Sequence, residues 1–184
     1  MNELISDEYK ALLRQKHDAK PWGGKGHTWC FLIAPLLNRL PAQLTILDFG
    51  CGRGTFKREM QILLPDATIY EYDPGVAGKD VLSMVPCDYV VCTDVMEHVE
   101  EDRVEYTLRT LNFLAIEGVF FNIDTALSRS LLPDGTNTHI TVKPAKWWMH
   151  QLRENFPGMV WKDHPTGKNQ LVVSGHREWE RDGD

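Results

Sequence analysis

The chain has 184 residues, 25% of them charged and 42% apolar, a size and balance that fit one folded domain with an ordinary core and exclude a disordered chain. Its formal net charge of −6 offers nothing that attracts a phosphate backbone, so nucleic acid is a disfavoured partner. No apolar run approaches the roughly 18 residues of a membrane span, and the first twenty residues are too charged for a signal peptide, so the expectation is a cytoplasmic protein without a membrane partner.

A mixed polar and apolar segment at 7–15 predicts a short helix, and 20–26, KPWGGKG, carries three glycines that argue against regular structure. Residues 29–40 suit a helix interrupted by Pro35 and stopped before Pro41. The short β-branched run at 44–49 ends at a glycine and predicts a buried strand. Residues 55–64 suit a helix, and 68–73, TIYEYD, a second strand ended by Pro74 and Gly75. Next come a strand at 88–93 (DYVVCT), a helix from about 99 to 115, and a strand at 118–123 (GVFFNI). A polar loop, 128–141, precedes 143–156, where Trp148, Leu152 and Phe156 recur every four residues as one helical face, and 170–174 (QLVVS) gives a last strand. Cys30, Cys51, Cys87 and Cys92 show no C-x-x-C spacing and read as free thiols in a reducing compartment.

Strands alternating with helices predict an α/β fold with a doubly wound, mostly parallel sheet and helices on both faces. Ligands of such sheets bind beyond the carboxyl ends of the strands, where the strand order reverses. One domain, 1–184, is expected, with N-terminal helices in 1–40, an α/β core in 44–176 and a tail in 177–184.

Residues 46–54, ILDFGCGRG, place Asp48, Gly50, Gly52 and Gly54 between a predicted strand and helix, where missing Cβ atoms allow a tight turn and a close ligand. Asp73 follows at the end of the second strand, a position from which a carboxylate accepts hydrogen bonds from both hydroxyls of a ribose. The dinucleotide fingerprint G-x-G-x-x-G is not met, because Thr55 occupies the place of its third glycine, and no G-K-[ST] follows to make a P-loop.

At these residues the chain resembles the class I S-adenosylmethionine-dependent methyltransferases, whose D/E-x-G-x-G-x-G motif is matched from Asp48 to Gly54. The resemblance extends over roughly 44–125, through Tyr72-Asp73-Pro74 and DYVVCTDVMEHV at 88–99. It implies a Rossmann-like fold, S-adenosylmethionine as cofactor, and cofactor contacts from Asp48, Gly50, Cys51, Gly52, Asp73, Pro74 and Asp94. Only fourteen residues, 74–87, separate the second strand from the fourth-strand motif, so the sheet is expected to be shortened between strand two and strand four. Asp80, Val81 and Leu82 are left as an abbreviated adenine wall. Family members often fold a lid upstream of the first strand, which makes Trp22 and Lys25 lid candidates; a connector anchored by Trp22 is the equal alternative. Residues 132–148, LPDGTNTHITVKPAKWW, are also similar to a group of bacterial and phage methyltransferase-like proteins.

Were the chain helical just after strand four, Asp94, Glu97 and His98 would share one face at i, i+3 and i+4, with His139 closing from a later loop. His98 and His139 are the candidate general bases for removing a proton from a hydroxyl or amine. Glu97 and Trp147 are candidate substrate contacts, Trp147 because it falls off the apolar stripe. The spacing D-x-x-E-H with a distant histidine also resembles small-RNA 3′-terminal 2′-O-methyltransferases, in which E-x-x-E-H and a later histidine hold a metal. A divalent metal is the less favoured reading here, because E-H at this place is common in methyltransferases that bind none. The expected function is methyl transfer to an oxygen or nitrogen of a small-molecule acceptor. The alternatives are a metal-assisted RNA 2′-O-methyltransferase and a non-catalytic S-adenosylmethionine-binding module.

Overall fold

The computed structural model describes residues 3–19, 22–40, 43–167 and 169–177. Its helices are α1 (Asp7–Ala19), α2 (Cys30–Leu37), α3 (Thr55–Leu63), α4 (Val104–Leu114) and α5 (Ala145–Asn155). Its strands are β1 (Thr45–Phe49), β2 (Thr68–Tyr72), β3 (Cys87–Thr93), β4 (Ala115–Asp124), β5 (Met159–Asp163) and β6 (Gln170–Arg177).

Six strands form one sheet in the order β2-β1-β3-β4-β6-β5. The first four run parallel, and β6 is antiparallel to both β4 and β5. The chain winds outward from β1 to β2 and then returns to β3 on the other side of β1, so the strand order reverses between β1 and β3, where such sheets hold ligands. No strand or helix forms in 74–86, as the short spacing predicts, and β2 is therefore an edge of the sheet.

Successive strand residues face opposite layers. Leu47, Val90 and Phe121 point into a core with Leu108, Leu111, Trp148 and Leu152 of α4 and α5. Their chain neighbours Ile46, Val91 and Phe120 pack on the other face with Ile33 and Leu37 of α2 and Phe56 and Met60 of α3. The stripe of Trp148, Leu152 and Phe156 is wholly buried, as its spacing requires.

Helix α1 is capped by Ser6, whose hydroxyl oxygen accepts the Tyr9 N–H at 3.2 Å. The same Ser6 donates its own N–H and hydroxyl to the Glu100 carboxylate at 2.7 and 2.6 Å, tying the helix start to the segment before α4. Lys10 and Arg14 pair with Asp80, and Lys16 donates to Ser130 and to the Leu131 carbonyl, so α1 spans the mouth formed by the loops at the sheet's carboxyl ends.

Several boundaries differ from the sequence reading. The segment expected to be helical from 99 begins as two 3-10 turns, Met96–His98 and Glu101–Arg103, and becomes α-helical only at Val104. Strand β5 is not among the predicted elements; its apolar run, Met159–Trp161, is only three residues long and is followed by solvent-exposed Lys162 and Asp163, as suits an edge strand paired on one side only. Helix α1 runs four residues further than its apolar spacing suggested. Lys20, Pro21, Pro41 and the tail from 178 lie outside the described residues.

Candidate functional site

A cavity of about 1080 Å³ opens at the carboxyl ends of β1, β2, β3 and β4. One end is built by the turn after β1, where the Gly50 and Cys51 N–H groups both donate to the Tyr72 carbonyl at 2.7 and 3.0 Å. Gly50, Gly52 and Gly54 have φ of 79°, 48° and 69°, a left-handed run that side-chain-bearing residues rarely adopt. A Cβ on Gly50 would lie 2.2 Å from Val95 Cγ2, and one on Gly52 would lie 2.4 Å from the Gly23 carbonyl oxygen.

Asp73 closes this end. Its Oδ2 accepts the Gly52 N–H at 2.8 Å and its Oδ1 the Gly75 N–H at 2.9 Å, which fixes both oxygens while leaving each a lone pair for a ligand hydroxyl. His17 Nε2 from α1 stands 3.8 Å away. Asp48, also on the cavity wall, is buried and its Oδ2 has no hydrogen-bond partner. Burial, with Glu71 nearby, pushes the Asp48 carboxyl up to about 8. Burial holds the Cys51 thiol well above its usual range, so it lines the cavity as an inert protonated group.

The other end is built by the segments that leave β3 and β4. Asp94 takes a left-handed φ of 55°, and its Oδ1 accepts from the Asn122 side-chain amide. This sharp turn sends the chain into the 3-10 turn and not into a helix, so Asp94, Glu97 and His98 do not share a helical face. Asp94 and His98 line the cavity, whereas Glu97 is fully buried behind its wall, with Oε1 accepting the Asp124 N–H at 3.1 Å. His139 arrives from the loop after β4, and the His98 and His139 rings stand edge to face with centroids 4.9 Å apart. Burial first, and His139 second, push His98 down to about 4, so its imidazole is neutral at physiological pH.

Of the sequence-predicted site residues, Asp48, Gly50, Cys51, Asp73, Pro74, Asp94, His98 and His139 all line one cavity. Gly52 does not; it lies under Gly23 and serves by holding Asp73. Trp147 is also outside the cavity wall. It stands edge to face on Trp148 with Lys143 5.5 Å above its ring, so falling off the apolar stripe took it to the helix flank and not to the site. Glu97 has no cavity surface for a substrate to touch directly. Asp80 and Val81 are likewise absent from the cavity wall, Asp80 being engaged with α1. His17 and Arg129 line the cavity unannounced, His17 from the last turn of α1 and Arg129 from the polar loop, because no local pattern marks which face of a remote segment will cover a site.

Trp22 and Lys25 do border the cavity, and the Gly23 carbonyl accepts the Arg53 N–H at 2.9 Å, laying this segment directly on the turn after β1. Gly52→Ala is expected to lift the segment off the turn and to weaken cofactor binding by about tenfold or more, since neither contacting group is a flexible side chain. Calorimetric titration against the wild type measures this.

The glycine turn and the acids Asp48 and Asp73 thus meet in one cavity at the switch point of a doubly wound sheet. The chain matches the model of the methyltransferase domain family over residues 21–167, and it belongs to that family as a class I S-adenosylmethionine-dependent methyltransferase domain. No curated protein matches the sequence. Among solved structures, it is similar to 1,6-didemethyltoxoflavin-N1-methyltransferase of Burkholderia thailandensis, with 15% identity, a TM-score of 0.63, and 92% of this chain and 89% of that one covered. A putative O-methyltransferase of Nostoc punctiforme shares 18% identity at TM-score 0.59, covering 90% of this chain and 60% of that one. An O-methyltransferase family protein of Burkholderia thailandensis shares 12% identity at TM-score 0.57, covering 85% of this chain and 59% of that one. The chain thus spans about six tenths of the length of these two O-methyltransferases. Among the described residues, no helix is long and apolar enough to cross a membrane.

Proposed function

We propose that this domain transfers the methyl group of S-adenosylmethionine to an oxygen or nitrogen of a small-molecule acceptor. The carrying observation is that one continuous cavity joins Asp48 and Asp73 at one end to Asp94, His98 and His139 at the other. The residues at the first end fit the cofactor: Asp73 offers spare lone pairs to ribose hydroxyls, and the orphaned Asp48 Oδ2 offers an acceptor to an ammonium group. When bound there, the cofactor supplies a methyl group already activated by its positive sulfur.

The chain then has to place an acceptor in line with that methyl group and exclude water from the contact. Trp22, edge to face on His98 at 5.3 Å, walls the cavity between the two ends. His98 and His139 supply the polar surface against which the acceptor's hydroxyl or amine is oriented and relieved of its proton. A neutral His98 accepts a hydrogen bond but holds a proton poorly, so it orients the acceptor. Lys25, Arg53 and Arg129, with the net charge of −6, are too few for a polyphosphate chain, which favours a small acceptor over RNA. Three solved structures of 12–18% identity carry O- or N-methyltransferase names, which supports a hydroxyl or amine acceptor.

The test is a screen of hydroxylated and amino metabolites for release of S-adenosylhomocysteine, run beside calorimetry with S-adenosylmethionine. Binding with turnover of at least one acceptor is expected. Binding with no turnover above background across the screen would favour a non-catalytic binding module, and no binding at all would remove the reading.

A further inference from the structure

Lys25, Arg53 and Arg129 line the cavity, and none of them forms an ion pair among the described residues. Two of the three have a neighbour to serve. Arg53 stands at the cofactor end, its Cδ 3.8 Å from where a Cβ on Gly24 would lie, on the segment laid over the glycine turn. Lys25 lies near Asp94, where its charge opposes the rise that burial imposes on that carboxyl. Arg129 has no such counterpart. Asp124, on the same cavity wall, turns Oδ1 to the Ala126 N–H at 2.9 Å.

The loop that carries Arg129 is held on both sides of it. The Ser128 N–H donates to Asn137 Oδ1 at 3.0 Å, and the Asn137 amide returns a bond to the Ser128 carbonyl at 2.9 Å. The Ser130 carbonyl accepts the Thr138 N–H and hydroxyl at 3.1 and 3.2 Å, and Lys16 donates to the Ser130 hydroxyl oxygen at 2.5 Å. The same loop fixes His139, whose Nδ1 lies 2.6 Å from the Ala126 carbonyl oxygen. A carbonyl only accepts, so Nδ1 carries the hydrogen and Nε2 presents its lone pair. The anchor of His139 and the free guanidinium thus belong to one pre-organised loop, separated by at most about 10 Å of chain. Between them Leu127 lines the cavity with an exposed side chain, and Trp22 adds apolar wall against His98.

We propose that the acceptor is a small organic acid whose carboxylate docks on Arg129, setting its hydroxyl or amine at His139. The inference rests on the proposed function and deepens it by naming the acceptor's chemical class. A guanidinium meets one carboxylate through two parallel N–H···O bonds. A phosphate ester, close to doubly charged, would leave part of its charge unmatched by a single arginine. Leu127 and Trp22 receive the apolar body of the acid, such as one substituted aromatic ring.

Hydroxybenzoic and aminobenzoic acids, each beside its carboxamide, are titrated by calorimetry into the full chain saturated with S-adenosylhomocysteine, so that binding is read without turnover. At least one acid is expected to bind about tenfold or more tightly than its carboxamide. Arg129→Gln should bring the pair within about twofold of each other, and Arg129→Lys, which keeps the charge without the fork, should recover part of the preference. S-adenosylmethionine affinity should stay within about twofold in both variants. Acids that bind no better than their carboxamides, or do not bind, overturn the proposal. So does a preference that survives Arg129→Gln, which would put the carboxylate on another cation, and so does a hydroxyphenyl phosphate bound more tightly than every acid. S-adenosylmethionine binding is measured separately on the same protein. Its absence removes the methyltransferase reading, whereas its presence with no preference for acids removes this inference alone.

Discussion

Asp73→Ala is expected to weaken S-adenosylmethionine and S-adenosylhomocysteine binding by about a hundredfold, the loss of two charge-assisted hydrogen bonds to ribose hydroxyls at roughly 1.5 kcal/mol each. The substitution removes more than ligand contacts. The Gly52 and Gly75 N–H groups lose their acceptor, so the turn after β1 and the turn after β2 loosen together. Asp73→Asn keeps the shape but sets an amide NH2 against one of those two N–H donors, giving an intermediate loss of about tenfold. Calorimetry on the three proteins decides the matter: equal affinity in all of them would mean that the ribose sits elsewhere.

Asp48 carries the second large effect, and its sign is set by burial. A carboxyl whose folded pKa is about 8, against about 3.9 unfolded, contributes its stability fully below the unfolded value and loses it as pH rises toward 8. Asp48→Asn, an isostere of the protonated acid, should therefore melt near the wild type at pH 5 and well above it at pH 9. The gap at pH 9 is on the order of 15 °C, taking about 5.5 kcal/mol for a shift of about four pKa units, at 2–4 °C per kcal/mol for a domain of this size. A gap that does not widen with pH would show that Asp48 is ionised in the empty protein.

The same group links cofactor binding to pH. An ammonium brought against Asp48 favours the carboxylate, so at pH 7 cofactor binding should expel close to one proton, and affinity should rise between pH 6 and 7.5. Calorimetry in two buffers of different ionisation enthalpy detects the proton, and Asp48→Asn should abolish it. Binding that is independent of both buffer and pH would take the ammonium away from Asp48.

The cofactor end was legible because its signals are local. Left-handed glycines, a preceding strand and an acid one strand later are all dictated by short-range geometry, and the structure joins Asp48, Gly50 and Asp73 as the spacing implies. The acceptor end was legible in composition but not in geometry. Asp94, Glu97 and His98 are the residues that meet there, yet a left-handed Asp94 and a 3-10 turn divide them between cavity wall and interior, which helical periodicity cannot foresee. Trp147 shows the limit of arguing from a stripe: leaving the core face does not say which remaining face meets the site. His17 and Arg129 were invisible for a related reason, since both reach the cavity across contacts that only the tertiary fold creates.

The short crossover between β2 and β3 has a thermodynamic price that falls on the N-terminus. A full strand and helix there would close the cofactor end from next door in the chain; here α1 does so, reaching Asp80 across 66 residues and Glu100 across 94. Closing loops of that length draws on chain entropy that only the finished docking returns. With the ribose on Asp73 as proposed, His17 beside the same carboxylate puts the docked helix and the cofactor on one group, so retention of the cofactor and seating of α1 share a single coupling free energy, and each changes the other by the same factor.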